Sequence, residues 1–97
     1  MSLFAVIRTR GSAWQSSLPL EGQADWNAHA SFMDALVSDG FMLLGGPLEG
    51  TPDVLIIVRA NGSGEIVERL QSDPWTARGL LGPARITPWT LRLGSLP

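Results

Sequence analysis

Apolar positions along the chain fall into blocks with two different periods. Leu3-Phe4-Ala5-Val6-Ile7 is apolar without alternation, and its length and branched residues predict a strand buried on both faces. Arg8-Thr9-Arg10 carries that strand to the surface. Gly11 to Gly22 is rich in Ser, Gly and Pro and reads as a loop with Trp14 in its middle. From Asp25 to Asp39 the period turns helical, with Trp26, His29, Met33, Leu36 and Val37 on one face. Asp25 is the candidate N-cap, and Gly40 suits the left-handed stop. Phe41 to Leu44 is a short second strand, stopped by Gly45-Gly46-Pro47. Gly50-Thr51-Pro52-Asp53 is turn chemistry, and Val54-Leu55-Ile56-Ile57-Val58 is the clearest strand of all. Asn61-Gly62-Ser63-Gly64 breaks it, with Ser63 placed to cap a helix over Glu65 to Ser72 whose Ile66, Val67 and Leu70 face inward. Asp73-Pro74 ends that helix, because a residue before Pro disfavours helical angles. Trp75 to Pro83 is irregular or a single turn. Arg85 to Leu93 is a last strand, which Pro88 assigns to a sheet edge. Gly94 to Pro97 is expected to be a loose tail.

The order strand, helix, strand, strand, helix, strand predicts an α+β, ferredoxin-like βαββαβ plan with one antiparallel sheet. Right-handed crossovers put both helices on the same face. The first and third strands are apolar on both faces, yet two helices cover only one. The other face therefore needs a partner, and a second copy related by a two-fold axis is the simplest one. The expectation is a homodimeric α+β barrel built from a single domain spanning residues 1–97.

Composition narrows the function. With 44% hydrophobic and 16% charged residues the chain is not disordered. Net charge is -2 and all seven basic residues are Arg, which speaks against nucleic acid or an anionic membrane surface as partner. No Cys is present, so disulfides, thiolate catalysis and Cys-held metals are out. A single His excludes a metal site built on several histidines of one chain. The apolar runs are too short to span a membrane, and Met1-Ser2-Leu3-Phe4 lacks the pattern of a signal peptide, so a cytoplasmic protein is expected.

Phosphate-binding, dinucleotide-binding, zinc-protease and serine-hydrolase motifs are all missing. What remains is His29, between Trp26 and Met33 on the apolar face of the first helix. A buried imidazole wants a partner for at least one nitrogen. Asp73 lies where the second helix stops, and two antiparallel helices side by side can bring that point near the start of the first. A carboxylate there would fix the tautomer and favour the imidazolium, while the positive end of the first helix would oppose it.

Three stretches resemble the YCII-related (YciI-like) family of dimeric α+β barrels. They are Ala28-His29 with Phe32, Leu36, Gly40 and Phe41; Leu44-Gly45-Gly46-Pro47-Leu48; and Leu70-Gln71-Ser72-Asp73-Pro74-Trp75-Thr76-Ala77-Arg78-Gly79-Leu80, leading to Ile86-Thr87-Pro88-Trp89. The resemblance covers roughly Leu3 to Leu93. It implies a catalytic dyad of His29 and Asp73, with the Gly46-Pro47 turn beside the same cleft. The implied chemistry is acid/base work on small molecules, such as elimination, isomerisation or hydrolysis, with no metal or organic cofactor. Two departures touch the pocket: a longer loop over Gly11–Gly22, and Arg78 where family members often have a small residue.

Other residues carry two readings each. Arg8 at the end of the first strand either binds a substrate carboxylate or is a solvated strand end or salt-bridge residue. Trp75 and Trp89 are packing residues of the core or the dimer, with Trp75 also next to the expected site. Trp14 is a lid or a loop anchor. Gly46 and Pro47 form the turn after an edge strand, where bare backbone lets a ligand approach. For the whole chain, the alternative to a small-molecule enzyme is a non-catalytic metabolite-binding or interaction domain on the same barrel. A haem-binding barrel with His29 as axial ligand is a third reading.

Overall fold

Alternation along the first strand decides how the chain packs. In the computed structural model, which describes residues 1–96, β1 runs from Ser2 to Arg10 and is followed by α1 (Trp26–Ser38), β2 (Met42–Pro47), β3 (Asp53–Ala60), α2 (Ser63–Gln71), a single-turn α3 (Pro74–Ala77) and β4 (Leu81–Pro88). The four strands form one antiparallel sheet in the order β2-β3-β1-β4, the ferredoxin-like arrangement. Successive strand residues point to opposite faces. Phe4 and Val6 of β1 thus share a face with Ile56 and Val58 of β3, and there they meet Leu36 of α1 and Ile66 and Leu70 of α2 in one buried core. The opposite face carries the half-buried Leu3, Ala5, Ile7 and Leu55 beside the buried Ile57, an apolar stretch outside the helix-covered core. Among the described residues no helix is long and apolar enough to cross a membrane.

The ends of several elements differ from the sequence reading, each for a local reason. Strand β1 does not surface at Arg8: position 8 lies on the same face as Phe4 and Val6, and its guanidinium is buried. Val37 and Val67 are exposed, since each sits about 100° around its helix from the buried Leu36 and Ile66. Phe32 joins the expected Met33 in the α1 stripe instead. Asp25 occupies the N-cap position at φ 57° but its side chain caps nothing and bonds to Arg78. Ser63 is the first residue of α2 rather than its cap; Glu65 reaches back to the Asn61 N–H at 2.8 Å. Gly40 ends α1 as expected, at φ 83°.

The Gly45-Gly46-Pro47 segment is strand, not turn. It pairs with Ile56, Leu55 and Val54, and because β2 is an edge the Pro needs no ladder partner on its outer side. The last strand is shifted towards the N-terminus relative to the expected Arg85–Leu93. Gly79, at φ 71°, reverses the chain directly after α3, so β4 starts at Leu81, and its pairing ends where Pro88 meets Phe4. β4 is an edge strand, as Pro88 indicated, and Trp89 lies beyond it, 39% exposed. Pro97, the last residue of the expected tail, lies outside the described residues.

Candidate active site

Three short stretches meet at one end of the helix layer: the final residues of β1, the first turns of α1, and the joint between α2 and α3. At that joint Asp73 N-caps α3. Pro74 fills the first helical position, where a missing N–H costs nothing, and Asp73 Oδ1 accepts from the Trp75 N–H at 3.0 Å. The cap fixes the carboxylate, which is fully buried and aimed into the protein.

Two side chains converge on it. Arg8 Nη1 donates to Asp73 Oδ2 at 2.7 Å, and Arg8 Nη2 donates to Thr76 Oγ1, also at 2.7 Å. His29 Nδ1 lies 2.8 Å from Oδ1 and 3.0 Å from Oδ2. Burial alone would push the Asp73 carboxyl up. The hydrogen bonds from His29, Arg8 and the Trp75 N–H outweigh it and hold the group below its ordinary value of 3.8. Asp73 is therefore ionised near neutral pH and can only accept. The proton it shares with His29 sits on Nδ1, which leaves Nε2 as the lone-pair nitrogen of the neutral ring.

The ring plane is fixed by Trp75. Its indole lies parallel to the imidazole, with centroids 3.8 Å apart and planes within 3°. Trp75 is in turn held by its own Nε1–H on the Ala24 carbonyl at 2.6 Å and by edge contact with Trp14 at 5.5 Å. Trp14 comes from the loop after β1. Gln23 secures that loop: its amide donates to the Gln15 carbonyl at 2.7 Å and accepts from the Gln15 N–H at 3.0 Å. The loop is also tied to the turn after α3, through Gly11 N–H to the Leu80 carbonyl and Ala13 N–H to the Gly79 carbonyl.

These elements enclose a cavity of about 260 Å³. His29, Arg8 and Arg10 face it among mostly apolar walls that include Trp14, Trp26 and Trp75. Nε2 of His29 has no protein partner among the described residues and is not sealed in. Gly45, Gly46 and Pro47 form the far wall from β2. A Cβ on Gly45 would come within 2.9 Å of Ile56 Cγ2, so close strand packing there needs the bare backbone. Among the described residues no group of three or more His, Asp and Glu side chains gathers as a metal cage would.

All six residues singled out from the sequence, His29, Asp73, Arg8, Gly46, Pro47 and Trp75, therefore stand at or directly behind one cavity. Arg8 plays a different part from a substrate clamp, because its guanidinium is engaged by Asp73 and Thr76 rather than left free for a carboxylate from outside. Sequence reasoning missed Arg10, Gln23 and the Trp75–His29 stack. For Arg10 a signal was there, because residues 4, 6, 8 and 10 of one strand alternate onto one face.

No protein-family model matches the chain, and no curated protein does. Among solved structures it is similar to 5-chloro-2-hydroxyhydroquinone dehydrochlorinase from Burkholderia phenoliruptrix AC1100, in complex with 2,5-dihydroxybenzoquinone. The TM-score is 0.69 at 22% identity, covering 91% of this chain and 93% of that one. The two share a fold.

Proposed function

We propose that this chain is a small-molecule acid/base enzyme of the YCII-related kind, a single domain in which His29 exchanges protons with a substrate and Asp73 orients it. One observation carries the reading: a buried, ionised carboxylate holds Nδ1, and Nε2 has no protein partner and opens to an aromatic-walled cavity. A volume of about 260 Å³ lies just below the usual range of ligand clefts and suits a molecule of one ring better than a tetrapyrrole.

In the proposed step Nε2 takes a proton from a substrate carbon or oxygen. The imidazolium that forms is stabilised by Asp73, whose charge in the resting site is balanced by Arg8. The electron pair left on the substrate either expels a leaving group, which is elimination, or moves to a new position that Nε2 reprotonates, which is isomerisation. Positioned proton transfer of this kind is worth about 10²–10⁴-fold in rate, or about 3–5 kcal/mol. As proposed, the reaction runs on these side chains without metal or organic cofactor. The dehydrochlorinase of similar fold gives a starting reaction class, loss of HCl from a hydroxylated ring.

The same reading includes a homodimer. Leu3, Ala5, Ile7 and Leu55 are half-buried on the sheet face away from the helices, and a second copy would cover it.

The test is turnover of a panel of chlorinated and unchlorinated hydroxyhydroquinones, followed by chloride release and quinone absorbance, in wild type and His29→Gln. The expected result is turnover in the wild type that falls by about 10²–10⁴-fold in the variant with ligand binding kept. Full activity in His29→Gln would overturn the assignment. Binding without turnover across the panel favours the metabolite-binding alternative.

A further inference from the structure

Among the described residues Arg10 is the one basic side chain lining the cavity that makes no hydrogen bond. Arg8 is bonded to Asp73 and Thr76, and no carboxylate is among the lining residues. Among the described residues the Arg10 guanidinium makes no hydrogen bond and no ion pair. Its Nε is a buried side-chain nitrogen with no partner, and its Cζ lies 4.3 Å above the centre of the Trp14 ring. The indole strips water from one side of the guanidinium and supplies only its π face in exchange. The terminal nitrogens also lack partners among the described residues but are not sealed, and Arg10 lines the same cavity as His29.

A cation held this way is under-solvated, and its Coulomb attraction for an anion is stronger than it would be in water. Arg also presents a planar fork that matches an anionic oxygen pair through two parallel bonds. Trp14, Trp26 and Trp75 are among the lining residues, and aromatic walls favour a flat, conjugated ligand.

We propose that Arg10 is the anion-recognition residue of this cavity, and that the substrate is a small planar ring bearing an anionic oxygen. The anionic group sits on the terminal nitrogens of Arg10, the ring lies against the indoles, and the reacting position is turned to His29 Nε2. This rests on the cavity being the substrate site of the proposed enzyme, and adds the class of molecule. A ring carboxylate and an acidic hydroxyquinone share the required chemistry.

Ligand binding, read by quenching of the tryptophans around the cavity, tests this without any need for turnover. The probes are benzoate, its neutral isostere benzamide, and 2,5-dihydroxybenzoquinone, which is anionic at neutral pH. Proteins are wild type, Arg10→Gln, Arg10→Lys and His29→Gln. Wild type should bind at least one anion about tenfold or more tightly than benzamide, and added salt should weaken it. Which anion wins tells a carboxylate from a hydroxyquinone. Arg10→Gln should erase the preference while leaving benzamide unchanged, and Arg10→Lys should keep part of it. A wild type that binds neither anion more tightly than benzamide, an anion preference that survives Arg10→Gln, or no binding of either anion at millimolar concentration overturns the proposal. His29→Gln separates the two claims. If that variant has normal turnover but Arg10→Gln loses the anion preference, the acid/base reading fails and the anion site stands.

Discussion

Arg8 donates from Nη1 to Asp73 Oδ2 across 2.7 Å, between side chains that are 2% and 0% exposed. Asp73 therefore answers to two partners, and its loss would strand a buried guanidinium as well as release His29. The site is a three-member network rather than a pair.

Single removals from that network should cost far more than paired ones. Taking one partner from a buried ion pair costs about 3–5 kcal/mol, whereas replacing both with apolar groups is often near neutral. Arg8→Met and Asp73→Leu should each lower stability by about that much in urea unfolding. Arg8→Met/Asp73→Leu should lose clearly less than the sum. Additive losses would mean that Arg8 and Asp73 are not coupled.

Acid should act through the same carboxylate. The fold holds Asp73 below 3.8, so its unfolded form binds protons first. Its contribution is complete above that value and is lost as pH falls through the lowered one. Stability of the wild type should drop with pH below about 3.8, and Arg8→Met/Asp73→Leu should show a shallower slope over that window. Equal slopes would remove Asp73 as a source of acid sensitivity.

The loop that carries Trp14 has its tightest glycine seat at Gly11. A Cβ on Gly11 would meet the Gly79 carbonyl oxygen at 2.1 Å, a backbone atom that cannot swing aside. Gly11→Ala should cost about 1–3 kcal/mol and lower Tm by about 4–8 °C per kcal/mol. A Cβ on Gly46 meets nothing within 4 Å, so Gly46→Ala should stay within about 0.5 kcal/mol of wild type. Thermal melts of the two variants decide it; an unchanged Gly11→Ala melt would contradict the seating.

Much of the fold is legible in the chain. The hydrophobic periods give all four strands and both main helices in order, and Pro88 gives an edge. The position of Asp73 before Pro, at a helix stop, places it where it can reach His29. What is not legible follows from long-range pairing. Apolarity on both faces hides the alternation of β1, so Arg8 reads as a surface residue although its charge is balanced by a residue 65 positions away. Gly45-Gly46-Pro47 reads as a turn by local propensity, and only the ladder to β3 makes it strand. Flat stacking of Trp75 on His29 leaves no trace in spacing at all.

The open sheet face predicts the oligomer. Light scattering at micromolar concentration should give twice the chain mass, and Ile7→Glu or Leu55→Glu, on that face, should give a folded monomer. A wild-type monomer would refute the dimer and leave the cavity chemistry untouched.

The proposed chemistry depends most directly on Asp73 holding the proton of His29 on Nδ1 and leaving Nε2 as the base. The chain has one His, so one imidazole spin system reports on it. A long-range ¹H–¹⁵N correlation spectrum of the wild-type protein, taken at a pH where the ring is neutral, reads which nitrogen carries hydrogen. The expected spectrum shows a protonated Nδ1 and a lone-pair Nε2. A ring protonated on Nε2 would contradict it, because the nitrogen open to the cavity would then have no lone pair to accept a substrate proton.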